Sequence, residues 1–100
     1  MPDPLSQAQI TAALTDLPGW SYDDGRLHKS FKFSDFPEAM SFMVRIGYAA
    51  EAMNHHPTLA NVYNQVTVGL QTHDAGNAVT QKDIDLAMKI ESINWIPEKN

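Results

Sequence analysis

The sequence predicts an α+β fold: a four-stranded antiparallel sheet with three helices packed on one face, in the order helix, hairpin, helix, hairpin, helix. Three observations predict it. Apolar residues recur every three or four positions in three segments, each opened by a residue that can cap a helix. The two segments between them alternate with period two and carry turn residues near their middles. The chain has 100 residues, room for one domain over 1–100 with one modest core. Helices on one side of an antiparallel sheet bury both kinds of apolar face in such a core.

Met1 to Leu5 reads as a frayed lead-in. Ser6 and Gln9 form a capping box, in which each side chain satisfies the other residue's free amide. Ile10, Ala13, Leu14 and Leu17 follow at helical spacing, and Pro18-Gly19 stops the helix. Residues 20–33 read as a hairpin around Asp24-Gly25. Leu27, Lys29, Phe31 and Phe33 share one face there. The lysine in that stripe points to an edge or partly exposed strand.

Ser34 or Asp35 caps the second helix, with Pro37 tolerated in its first turn. Phe36, Met40, Met43 and Gly47 make one stripe of it. Ala39, Phe42, Ile46, Ala50 and Met53 make another beside it. A face this wide marks the main core helix. Asn54-His55-His56-Pro57 ends it, since a residue before proline is pushed out of helical geometry. Residues 58–73 give the second hairpin, with Asn64-Gln65 at the turn. Val66, Val68 and Leu70 face one way, and Thr67, Gly69, Gln71 and His73 the other. Asp74 to Val79 is a loop. Thr80, with Asp83 three residues on, caps the last helix. Ile84, Leu86, Ala87, Ile90 and Ile93 form its buried side, and Trp95-Ile96-Pro97 ends it.

Composition removes several function classes. Seven Lys and Arg stand against twelve acids, a net charge of −5, which supplies no basic face for nucleic acid or an anionic membrane surface. Without cysteine there is no disulfide, thiolate metal site or cysteine nucleophile. No apolar run approaches the roughly 20 residues of a membrane span. The start lacks the basic and apolar regions of a secretory signal, so a cytoplasmic protein is expected.

Three of the four histidines lie between Glu51 and His73. His55 and His56 sit where a helix gives way to a bend, and imidazoles can serve as both acid and base near neutral pH. Glu51 stands four residues before His55, one turn away if the helix persists, where its carboxylate would fix the ring's tautomer. Taken alone, each piece has a plainer reading. An adjacent His pair is more often a surface turn, a Glu–His pair a solvated helix pair, and His73 an exposed strand end. His28 carries no assignment, and the methionines read as core filler. A metal site is disfavoured, because adjacent histidines lack the i,i+4 spacing that aims two imidazoles at one ion. No serine sits on a Gly-x-Ser-x-Gly elbow.

The stretch Glu51-Ala52-Met53-Asn54-His55-His56-Pro57, with Asn61-Val62-Tyr63, Val66 and Leu70-Gln71-Thr72-His73, resembles the signature of the pterin-4a-carbinolamine dehydratase family. The similarity runs on into Thr80-Gln81-Lys82-Asp83-Ile84 and back to Gly19-Trp20 and Phe31-Lys32-Phe33, covering nearly the whole chain. The resemblance implies the same fold. It also implies a hydro-lyase that removes water from a 4a-hydroxytetrahydropterin to give the quinonoid dihydropterin. That reaction recycles the cofactor of aromatic amino acid hydroxylases. The pterin is then the substrate, and no cofactor or metal is needed. The family's catalytic positions fall on His55, His56 and His73. Glu51, Asn54 and Asp83 fall at substrate-binding or supporting positions, and Asn61 and Tyr63 would shape the pocket and strand packing. A homodimer or homotetramer is implied, with a pterin-dependent hydroxylase as pathway partner. A second reading is a protein-binding or dimerisation module that regulates a hydroxylase or a transcription factor. Leu59, where many relatives carry a large aromatic residue, and a slightly long loop from Asp74 to Val79 depart from the pattern.

Overall fold

A computed structural model describes residues 3–95. The elements are α1 (Gln7–Leu14), β1 (Ser21–Asp23), β2 (Arg26–Lys32), α2 (Phe36–Ala52), β3 (Thr58–Val62), β4 (Gln65–Leu70), a 3-10 turn (His73–Ala75) and α3 (Gln81–Ile93). The four strands form one antiparallel sheet in the order β1-β2-β4-β3. Three helices pack on one of its faces, as the sequence predicts.

Local chemistry sets most boundaries. The capping boxes at Ser6/Gln9 and Thr80/Asp83 are both formed, and Asp35 caps α2 by accepting from the Glu38 amide at 3.0 Å. Asp24 and Gly25 both take positive φ, 53° and 78°, the pair a tight type I′ hairpin turn requires. Inner-face residues pair across the central strands, Leu27 with Leu70, Lys29 with Val68 and Phe31 with Val66. Phe42 and Ile46 of α2 and Leu86 and Ile90 of α3 close over them, all fully buried. Phe42 meets Phe31 and Phe33 with ring centroids 4.8 and 5.0 Å away, within the range where aromatic pairs attract.

Several expectations are corrected. Leu5 is not frayed: its amide donates to the Val79 carbonyl at 2.8 Å and its side chain packs on the core. Helix α1 stops at Leu14 rather than at Pro18, because the Thr15 hydroxyl bonds the Ala12 carbonyl and the chain tightens into three-residue turns that still bury Leu17. Lys29 lies in a central strand, not at an edge, and is buried. Its ammonium donates to Glu91 at 2.9 Å and to the Pro18 carbonyl at 2.8 Å, and Glu91 also accepts from the Trp20 indole at 2.8 Å. A buried charge is tolerable only with such partners. Gly19 makes room for this lysine, since a Cβ there would stand 2.8 Å from the Lys29 side chain.

On α2 only the second stripe is core. Phe36, Met40 and Gly47 are exposed, Met43 is half-buried, and Ala49 joins the buried set. Phe36, Met40, Val44 and Tyr48 therefore form an exposed apolar ridge at four-residue steps. The second hairpin turns at Tyr63-Asn64, one residue earlier than expected, since Val62 pairs with Gln65. Tyr63 takes the left-handed φ of 50°. Asn61 braces the turn by donating to the Tyr63 and Gln65 carbonyls. Strand β4 ends at Leu70, so His73 opens the 3-10 turn instead of finishing the strand. Ile93 is only partly buried, and Ile96 and Pro97 lie outside the described residues. Among the described residues no helix is long and apolar enough to cross a membrane.

Candidate active site

The site begins at the end of α2. Asn54 follows the cap residue Met53 and takes a left-handed backbone, φ 50°. The Asn54 amide bonds the Glu51 carbonyl at 3.1 Å and the His55 amide bonds the Ala50 carbonyl at 3.0 Å. These two bonds make a Schellman motif with asparagine in the position glycine usually holds. The reversal turns His55 inward towards α3 and leaves His56 outside. Asn54→Ala is expected to cost about 1–2 kcal/mol, the penalty for an ordinary residue in the left-handed region, and Asn54→Gly to be nearly neutral. Urea unfolding of the two variants checks this, and equal losses would contradict it.

Because the helix stops at Ala52, the expected meeting of Glu51 with His55 does not occur. Glu51 instead pairs with His56, Oε1 to Nε2 at 2.9 Å, in a solvent-exposed contact. His55 is buried, and its Nε2 lies 2.5 Å from Oδ1 of Asp83, which is fully buried. The second oxygen, Oδ2, accepts from the Thr80 amide at 2.9 Å and from the Thr72 hydroxyl at 2.8 Å. Carboxylate oxygens only accept here, so Nε2 of His55 carries the proton that it shares with Asp83. Among the described residues no buried side-chain nitrogen or oxygen lacks a hydrogen-bond partner. Nδ1 of His55 has none from the protein, so this nitrogen reaches the solvent.

A cleft of about 200 Å³ is lined by Asn54, His55, His56, Gln71, Thr72, His73, Asp74 and Lys82. Every lining residue is polar. The cleft is open and smaller than the several hundred Å³ of a drug-sized pocket, which suits a compact polar ring. His73 enters it from the 3-10 turn, and its Nδ1 is 3.1 Å from the Asn77 side-chain oxygen. That acceptor holds the proton on Nδ1 and leaves Nε2 free. Three imidazoles therefore share one cleft, one of them gripped by a buried carboxylate. Such an arrangement can take a proton from one atom of a small ligand and deliver one to another.

Of the residues singled out by sequence, His55, His56, His73 and Asn54 line the cleft. Asp83 stands behind His55, and Glu51 behind His56. Asn61 and Tyr63 belong to the far hairpin turn and do not line it, and Leu59 packs against the core. Gln71, Thr72, Asp74 and Lys82 were not singled out as site residues. Their adjacency in sequence to His73 and Asp83 is the signal that could have placed them beside the site. Among the described residues no three His, Asp or Glu side chains are grouped to hold a metal ion.

Residues 3–93 match the family model described as pterin 4 alpha carbinolamine dehydratase. A protein of Opitutus terrae, provisionally named pterin-4-alpha-carbinolamine dehydratase, is 53% identical over 96% of this chain and 99% of its own length. One of Solibacter usitatus, provisionally given the same name, is 46% identical over 89% of this chain and 93% of its own. The crystal structure of a transcriptional coactivator/pterin dehydratase from Brucella melitensis is 40% identical and superposes with a TM-score of 0.85. It spans 90% of this chain and 97% of that one.

Proposed function

The chain belongs to the pterin-4a-carbinolamine dehydratase family, and on that premise we propose that it dehydrates a 4a-hydroxytetrahydropterin to the quinonoid dihydropterin. The observation that carries the reading is the polar cleft holding three histidines, with Nε2 of His55 bound to buried Asp83. The reaction breaks the C4a–O bond and the N5–H bond. The hydroxyl needs a proton to leave as water, and N5 must give one up. Nδ1 of His55, the ring nitrogen not bound to Asp83, takes the N5 proton, and Asp83 steadies the ring as it becomes charged. His56 or His73 protonates the departing hydroxyl. One proton enters the enzyme and one leaves it, so no covalent intermediate and no metal is required. The compact cleft suits the pterin ring, and Asn54 is placed to contact it.

In this reading the substrate comes from a pterin-dependent hydroxylase in the cytoplasm, and the chain acts as one domain. The exposed ridge of Phe36, Met40, Val44 and Tyr48 favours a homo-oligomer, which light scattering would register as a mass above 11.1 kDa. The same ridge favours the second reading, a protein-binding module, since the Brucella relative is described as a transcriptional coactivator as well as a dehydratase.

The test follows quinonoid product by absorbance, with the substrate generated by a hydroxylase and the uncatalysed background subtracted. The wild type should accelerate the reaction. His55→Ala and His73→Ala should each lower turnover by roughly tenfold or more, part of the 10²–10⁴-fold a positioned acid or base contributes. Full activity in both variants would refute the site. No acceleration by the folded wild type would leave the binding module as the better reading.

A further inference from the structure

We propose that Thr72 is a positioning residue for His55: its hydroxyl fixes the Asp83 carboxylate and, through it, the tautomer of the imidazole. The proposal rests on the dehydratase reading for its kinetic consequence only.

The direction of each hydrogen bond in the buried cluster follows from proton counting. Oδ2 of Asp83 can only accept, so the Thr72 hydroxyl donates to it at 2.8 Å. Thr72 has then spent its one proton. The 2.7 Å contact between the Thr72 and Thr80 hydroxyls must be donated by Thr80. Thr80 Oγ1 in turn accepts from the Lys82 amide at 3.2 Å. The chain of donors therefore runs one way, from the first turn of α3 through Thr80 and Thr72 to Asp83. On the other side of the carboxylate, His55 completes the set with its Nε2 proton on Oδ1.

Helix capping does not account for Thr72. The cap needs Thr80 and Asp83, and both already make their reciprocal contacts. Thr72 belongs to another segment, the stretch just after β4. It is held there by a bridge to Ala78, with its amide on the Ala78 carbonyl at 2.8 Å. Thr72 is buried, and among the described residues its hydroxyl is the one side-chain donor on Oδ2. Without it the carboxylate keeps the Thr80 amide on that oxygen and His55 on the other, and loses the contact from the β4 side that fixes its plane. The Nε2 proton would then be less firmly placed, and the imidazole could present N–H rather than a lone pair at Nδ1.

The test compares Thr72→Val, which keeps the shape and removes the donor, with Thr72→Ser, which keeps the donor. Thr72→Val should lower kcat about tenfold with KM within about twofold, a fraction of the roughly 10²–10⁴-fold that an acid–base group supplies. Thr72→Ser should recover most of that loss. Independently of activity, ¹⁵N spectra of the imidazoles should show His55 protonated on Nε2 in the wild type and Thr72→Ser, and a mixture of tautomers in Thr72→Val. Should the valine variant not fold, Thr72→Ala is read in its place. An unchanged His55 tautomer without the hydroxyl would overturn the proposal, as would a serine variant as impaired as the valine one. A wild type that binds His55 as described but accelerates nothing would refute the dehydratase reading. The tautomer shift would then still decide the role of Thr72.

Discussion

Asp83→Ala is expected to damage stability and turnover together, more than any other single change in the site. The side chain is fully buried and accepts from three donors on three segments: His55 after α2, Thr72 after β4, and Thr80 at the start of α3. Alanine leaves all three without an acceptor. Leaving a buried donor without its acceptor costs about 1–3 kcal/mol, and here three are left at once. Turnover should fall by about 10²-fold or more, since His55 loses the group that sets its tautomer. Asn in the same place is nearly isosteric but fails differently. Its amide nitrogen must face either the His55 proton or the two donors at Thr72 and Thr80. Urea midpoints and quinonoid formation measured on both variants check this. An Asp83→Ala protein as stable as the wild type would mean that the buried pair does not form.

Phe42→Ala is the second large effect, and it concerns the fold. Phe42 is fully buried in the middle of α2 and touches Phe31, Phe33 and Trp95. Deleting a phenyl ring from such a place costs about 3–5 kcal/mol in lost transfer energy and residual cavity. For a chain of this size that lowers Tm by roughly 15–30 °C. Calorimetry gives the shift directly. A loss below about 1.5 kcal/mol, typical of a volume-conserving swap, would mean that the neighbouring rings collapse into the space.

The architecture was legible because its signals are local. Both capping boxes, the Asp24-Gly25 turn and the alternation of β4 lie within a few residues of the features they set. What misled were residues whose meaning depends on a distant partner. Lys29 looked like an edge residue because Glu91, which balances it, is 62 positions away. The outer stripe of α2 carries the same apolar residue types as the inner one, so composition could not tell which faces the sheet. In the site, the sequence located the histidines but not their partners. Spacing linked Glu51 to His55 on the premise that the helix continues. The left-handed turn at Asn54 breaks it there. The partner that replaces Glu51 lies 28 positions downstream, beyond the reach of periodicity.

The capping box at the start of α3 has a consequence for how this sequence can change. Asp83 closes that cap and also holds His55, so a single carboxylate meets two structural requirements. For the cap alone, Glu or Gln serves as well, and Glu is the commoner choice. One added methylene would push the carboxylate out of register with His55 and the two threonines. Mutational drift that a helix start elsewhere in the chain tolerates is closed at this one. At α1 the Ser6 and Gln9 cap bears on the helix start alone, whereas a change at Thr80 or Asp83 also reaches the histidine they support.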